Sequence, residues 1–327
     1  MLTKILCIVV FSVIITLVVA YILVQTDPAK PAKGGSGLDF ADYLAANTES
    51  AEAPPLLTTP MRDGYALSYR RFDGPLGAPM LILLHGSGWH GLQFAKLAQS
   101  LTGKATVIVP DLRGHGTAPG RRGDIDYIAQ YEDDLADLIT ALHEPSQKIV
   151  LGGHSSGGGL VVRFAGGRYS ALLDGAMLLA PFLKHNAPTT RQDSGGWATV
   201  HLRRMIWLSI LNAFRITALN DKTVIQFAMP RQVLDGPMGH TATTAYSYRL
   251  NTGFAPRGKY LDDVAKLPPF VLIAGAEDGA FYADRYAQTM GAVNDKGTYV
   301  IVPAQGHLGI VDAPETEQTI LDFLDGI

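Results

Sequence analysis

Ser155 lies in the run Gly153-His154-Ser155-Ser156-Gly157, between a stretch that reads as a strand and one that reads as a helix. A serine hydroxyl is a weak nucleophile unless geometry and a base activate it. The G-x-S-x-G spacing supplies the geometry. Glycine on both sides permits a turn so tight that a Cβ at Gly153 or Gly157 would press on neighbouring backbone. The turn lifts the serine to the edge of a sheet, and the following helix aims amide N–H groups and its positive end at any anion nearby. Ser156 is the rival hydroxyl, but only Ser155 sits between the glycines at the required offsets. A Ser/Gly-rich turn without activity is the bland alternative, and the strand–turn–helix setting argues against it.

A base must follow. Of nine histidines, His307 is the only one after the penultimate strand candidate, in YVIVPAQGHLG, with Gly306 and Gly309 beside it. His143 reads as a helix end, His185, His201 and His240 fall in an insert, and His90 and His154 read as local packing. An acid must then hold the imidazole's tautomer and stabilise its cation. Asp278, in AGAEDGAFY after another strand candidate, is the leading residue, with Glu277 as runner-up. An oxyanion formed at Ser155 needs donors. The backbone N–H of Ser87, in His85-Gly86-Ser87-Gly88, and that of Ser156 are the candidates, with His85 bracing the turn.

These residues need a scaffold, and its rhythm is visible. Apolar β-rich runs at 67–72, 80–84, 106–110, 149–152, 176–179, 270–274 and 298–302 alternate with helical patterns at 91–102, 125–143, 157–167, 282–292 and 314–325. Short, continuously apolar strands alternating with helices predict an α/β fold, a mostly parallel sheet covered on both faces. The alternation breaks at about 183–258, where no clean strand appears and 201–216 (HLRRMIWLSILNAFRI) reads as a helix. This stretch is predicted to be a mainly helical cap.

Residues 5–24 carry no charge and would reach about 30 Å as a helix, the thickness of bilayer hydrocarbon. The pattern reads as an uncleaved transmembrane signal anchor over 1–25. A cleaved signal peptide and a buried core helix are the alternatives. Residues 26–59 read as linker and N-terminal extension, with the Pro/Gly/Lys/Ser-rich part to about 37 as a tether. The domain from 60 to 327 is then expected on the periplasmic or other non-cytoplasmic side. Cys7, the single cysteine, lies in the apolar run, so the domain has no disulfide, thiolate nucleophile or cysteine metal site. A net charge of −3 with no basic stripe argues against a nucleic-acid partner, and 35 glycines without a period argue against a repeat protein.

Together the pieces resemble the α/β-hydrolase superfamily, and within it the monoacylglycerol lipase/lysophospholipase group, which includes serine aminopeptidase-like sequences. The resemblance runs from about 60 to the C-terminus. It rests on His85-Gly86-Ser87-Gly88, Asp111-Leu112-Arg113-Gly114-His115-Gly116, the GHSSG elbow, the stretch GRRGDIDYIAQYEDDL from Gly120, Ala180-Pro181, and the settings of Asp278 and His307. The order Ser155, Asp278, His307 is the order of that fold. The chain departs from the group in Thr117-Ala118-Pro119, where serine is common, in the unfamiliar insert, and in the apolar N-terminus. The resemblance implies hydrolysis of a small-molecule or lipid ester through an acyl-enzyme, with no metal or organic cofactor. An aminopeptidase would need an acidic cluster near the cap, where only Asp193, Asp221 and Asp235 are scattered. A non-catalytic binding protein would be expected to have lost one of the three residues. Oligomeric state is left open.

Overall fold

The computed structural model describes residues 1–28, 38, 53–192 and 196–327. In chain order the strands are β1 (Leu57–Pro60), β2 (Ala66–Phe72), β3 (Met80–Leu84), β4 (Thr106–Pro110), β5 (Ile149–His154), β6 (Gly175–Leu179), β7 (Ala198–Val200), β8 (Thr223–Phe227), β9 (Ala245–Ser247), β10 (Phe270–Gly275) and β11 (Gly297–Val302). The helices are α1 (Leu2–Thr26), α2 (Ala95–Ser100), α3 (Gln130–Leu142), α4 (Ser156–Gly166), α5 (Leu202–Ala213), α6 (Arg231–Leu234), α7 (Tyr248–Phe254), α8 (Tyr260–Val264), α9 (Tyr286–Gly291) and α10 (Pro314–Asp325).

Eight strands form one sheet in the order β1-β2-β4-β3-β5-β6-β10-β11. The pairs β1–β2 and β2–β4 are antiparallel, and every other pair is parallel. In β3, β4, β5, β6 and β10 every residue is buried, as continuously apolar strands covered on both faces require. Side chains alternate between two cores. Ile82, Leu84, Leu151, Leu178 and Leu272 face one side with Leu135, Val161 and Phe164. Leu81, Leu83, Val150, Met177 and Ile273 face the other with Leu97, Leu101, Ile320 and Leu324. Because the central strands are parallel, their carboxyl ends gather at one edge. The turns carrying Ser87, Ser155, Ala180-Pro181, Asp278 and His307 all leave from there.

Seven strand expectations and the helices at α4 and α10 agree closely with the observed elements, and three helices differ. The stretch 91–102 is a 3₁₀ turn (Gly91–Phe94) leading into α2, and 282–292 divides similarly at Ala283–Arg285. The long helix starts at Gln130, not 125, because the Gln130 side chain accepts from the Asp126 N–H at 2.5 Å and closes the preceding turn. The sheet also begins earlier than expected, at Leu57. Pro60 is tolerated in β1 because this is an edge strand. Of the predicted tether, 29–37 lies outside the described residues, as does Asp193.

The insert is helical at α5, α6 and α7, and the structure corrects the expectation that it lacks strands. β7, β8 and β9 make a separate three-stranded antiparallel sheet. Two of these strands have three residues each, too short for alternation to show in sequence. The insert docks on the loop that begins at Gly120. Gly123, at φ +72°, brings its backbone so close that a Cβ would stand 2.0 Å from the Ala245 carbonyl oxygen. Arg249 donates to Asp124 at 2.5 and 2.8 Å. Glu132 ties α3 to both α4 and the end of the insert, accepting from Arg163 at 2.7 Å and from Arg257 at 2.5 Å.

Both Glu132 and Arg163 are almost fully buried, so removing one partner strands the other's charge in a medium that solvates it poorly. Glu132→Ala is expected to lower unfolding free energy by about 3 kcal/mol. Urea denaturation at neutral pH would measure it, and an unchanged midpoint would contradict the assignment.

Candidate active site

β5 runs straight into Ser155, and α4 begins at the next residue. Ser155 has φ 54° and ψ −118°, a conformation that side-chain-bearing residues rarely adopt. Three backbone hydrogen bonds hold it. Its N–H donates to Leu179, and its carbonyl accepts from Gly159 and Phe182, all between 2.9 and 3.0 Å. The glycines are needed for the reason the spacing suggested. A Cβ on Gly153 would stand 2.4 Å from the Gly157 carbonyl carbon, and one on Gly157 would stand 2.1 Å from the Leu84 carbonyl oxygen.

The loops after β10 and β11 bring in the other two groups. His307 Nε2 is 3.0 Å from Ser155 Oγ, and its Nδ1 is 2.8 Å from Asp278 Oδ2. The second Asp278 oxygen accepts from the backbone N–H groups of Ala280 (2.7 Å) and Phe281 (2.9 Å). Burial pushes the Asp278 carboxyl upward, but His307 and the two amides outweigh it and hold the group below the usual carboxylate range. Asp278 is therefore an anion that orients the imidazole. Glu277, the runner-up, is exposed, and its N–H instead joins the two loops by donating to Gln305. Among the described residues, the N–H groups of Ser87 and Ser156 have no acceptor. They stand at the start of α4 and on the turn packed against it, as an oxyanion site requires. Ser156 Oγ bonds Ser87 Oγ at 2.7 Å, so the rival hydroxyl is turned to Ser87 rather than to His307.

The remaining histidines divide as follows. His143, His185 and His240 are exposed, and His90 and His201 are buried. His85 is buried and braces the turn: it accepts from the Leu112 N–H at Nε2 (3.2 Å), and its Nδ1 meets the Gly86 carbonyl (2.9 Å). His154 does more than local packing. Its Nε2 meets the His307 carbonyl at 2.8 Å, its Nδ1 meets Gln93 Nε2 at 2.7 Å, and Gln93 Oε1 accepts from the Gly86 N–H at 2.9 Å. One relay thus joins the turn at Gly86, the elbow and the His307 loop. Tyr246, from β9 of the insert, joins a second relay. Its hydroxyl accepts from the Gly88 N–H at 2.6 Å and meets His115 Nε2 at 2.8 Å, while His115 Nδ1 meets the Arg113 carbonyl. Sequence reasoning missed Gln93 and Tyr246. Neither lies in a motif, and only the tertiary fold brings residue 246 to residue 88.

Residues 81–317 match the alpha/beta hydrolase family. The chain belongs to that family. An uncharacterised protein of Mycobacterium tuberculosis is 36% identical over 118 residues, 35% of this chain and 31% of that one. The chain thus spans about a third of the length of the curated mycobacterial proteins it matches. A monoglyceride lipase of Saccharomyces cerevisiae superposes with a TM-score of 0.62 at 18% identity, over 85% of this hydrolase and 96% of that structure. A structure described as a membrane phospholipase A superposes at 0.57 and 18%, over 88% and 92%. These are likenesses of fold. They place the hydrolase among proteins whose names include esterases and lipases.

Burial also gives the site a pH dependence of stability. It lowers the imidazoles of His85 and His90 to about 4 and of His154 to about 3, with His115 also well below the usual 6.5. All four are neutral when folded and take up protons on unfolding between those values and 6.5. Stability is therefore full above about pH 6.5 and falls as pH drops, by up to about 1.4 kcal/mol per pH unit for each histidine. Denaturation midpoints should be clearly lower at pH 5 than at pH 7, and a flat profile would contradict the neutral relays. Tyr246→Phe removes the acceptor of the Gly88 N–H and the donor to His115. We expect kcat to fall about tenfold with KM little changed, the equivalent of one lost hydrogen bond. A change confined to KM would show that Tyr246 does not position the oxyanion turn.

Proposed function

We propose that this hydrolase cleaves carboxylic esters of acylglycerols or lysophospholipids through an acyl-enzyme on Ser155. The chain of contacts from Asp278 through His307 to Ser155 Oγ, beside two unengaged amides, carries the reading. Ser155 Oγ attacks the ester carbonyl carbon as its proton passes to His307 Nε2, and Asp278 stabilises the imidazolium. The carbonyl oxygen takes the negative charge and is met by the N–H groups of Ser87 and Ser156. Collapse breaks the C–O bond to the alcohol, which leaves with the proton from His307. Water, deprotonated by the same nitrogen, then attacks the acyl carbon, and the carboxylic acid departs as Ser155 regains its proton. Each step uses side chains and backbone amides of this chain.

The apolar surroundings favour a lipid acyl group. Trp89, beside the oxyanion turn, and Leu308, next to the base, cluster with Met229, Val233 and Ala242 of the insert. The Met229 methyl lies so near Gly88 that a Cβ there would stand 2.9 Å away. An apolar wall at the reacting carbonyl suits a hydrocarbon chain better than a charged amine. The apolar α1 is long enough to hold the enzyme at a membrane.

A fluorophosphonate probe should label the protein and fail to label Ser155→Ala; label retained in that variant would overturn the nucleophile. Medium- and long-chain monoacylglycerols and lysophospholipids should be hydrolysed in preference to short p-nitrophenyl esters, and activity confined to the short esters would remove the lipid reading. Met229→Trp should reduce the long-chain rate about tenfold while leaving the short esters nearly unchanged. An equal loss on both would assign Met229 to the fold rather than to the acyl site.

A further inference from the structure

α1 is not a free-standing span. Leu17, Ala20 and Val24, spaced by three and four, form one face of the helix. Ala20 and Val24 are fully covered, in a cluster with Leu208 and Leu211 of α5 and with Leu219, Val224 and Tyr248 of the insert. Just past the helix, buried Arg204 of α5 donates to the Asp27 carbonyl and lies 3.8 Å from the Asp27 carboxylate. The rest of α1, back to Leu2, is almost entirely exposed.

The lengths have a consequence. The uncharged stretch of 20 residues is about 30 Å long as a helix, the thickness of bilayer hydrocarbon. Its last eight residues, 17–24, about 12 Å of helix, run along the cap. The free part, from residue 5 to residue 16, is too short to span by itself. A bilayer that takes up the whole apolar stretch must therefore also receive the side of α5 that lies beside it.

α5 is built for that position. Leu202 and Ile206 of α5, and Phe214 just past its end, are 63, 49 and 50% exposed, although each is a large apolar side chain. On a helical projection Leu202 and Ile206 lie about 40° apart, on the side away from Leu208 and Leu211, which face α1 and the insert. Arg203 and Arg215, exposed towards the two ends of the helix, supply the positive charge that anionic headgroups attract. We propose that α5 is embedded in the leaflet that holds the C-terminal half of α1, so that anchor and cap enter the membrane as one packed unit. The occupant of the exposed face is lipid. The same packing keeps α1 part of the folded protein, since its removal would bare the cap's apolar cluster. This inference concerns where the cap sits and is independent of the reaction chemistry proposed above.

The test uses the full chain in phosphatidylcholine/phosphatidylglycerol vesicles. In a Cys7→Ala background, single cysteines at Leu202, at Ile206 and, as a control, at Leu76 (98% exposed, on a core loop) carry an environment-sensitive nitrobenzoxadiazole label. A far-UV circular dichroism spectrum and a thermal transition matching those of the unsubstituted protein verify the fold of each variant. At 202 and 206 the emission should be blue-shifted, quenched several-fold more by doxyl-labelled lipids than at 76, and protected from aqueous iodide. Iodide quenching at 202 and 206 equal to that at 76 would overturn the proposal, because the cap would then stand in water above the membrane.

Discussion

Ser155 holds a backbone conformation that costs a residue with a side chain of order 1–3 kcal/mol, and it persists only where surroundings over-determine it. Here they do. The N–H and carbonyl of Ser155 are fixed by Leu179, Gly159 and Phe182, and two missing Cβ atoms let β3, β5 and α4 approach within contact. The same close approach sets the turn carrying Ser87 against the first turn of α4. Parallel pairing of β6, β10 and β11 then delivers Asp278 and His307 at the same edge. The Ser155 hydroxyl, the His307 imidazole and the unengaged amides meet because one strained torsion is held by the sheet.

Around this centre, neutral buried histidines act as spacers. His154 spans from Gln93 to the His307 carbonyl, so hydrogen bonds connect the His307 loop to the turn at Gly86. His115 and Tyr246 do the same between the core and the insert. An imidazole suits both places because its neutral form offers one donor and one acceptor on opposite sides. The insert is thereby more than a cover. It holds Gly88 through Tyr246, packs Met229 and Val233 against Trp89 and Leu308, and packs α5 on the N-terminal helix.

Much of this was legible in residue order. Strands such as Met80–Leu84 and Thr106–Pro110 are unbroken apolar runs, since burial on both faces leaves no polar positions to blur their limits. Ser155, Asp278 and His307 could be chosen because each follows such a run in a glycine-bearing turn. What escaped depends on contacts distant in sequence. β7 and β9 are too short for a pattern and exist only through pairing with β8. Tyr246 looks like any core aromatic until the fold sets its hydroxyl beside Gly88. The stripe Leu17–Ala20–Val24 is hidden in a helix that is apolar all round, so no sequence periodicity marks the face that packs.

The central claim is that Ser155 attacks a carbonyl whose oxygen is received by the N–H groups of Ser87 and Ser156. A crystal structure of the protein inactivated by an alkyl phosphonate, a stable analogue of the tetrahedral intermediate, tests it most directly. The account predicts phosphorus bonded to Ser155 Oγ, with one phosphonyl oxygen within about 3.1 Å of both amides and His307 Nε2 facing the leaving-group position. Phosphorus on another residue, or a phosphonyl oxygen turned away from both amides, would contradict it.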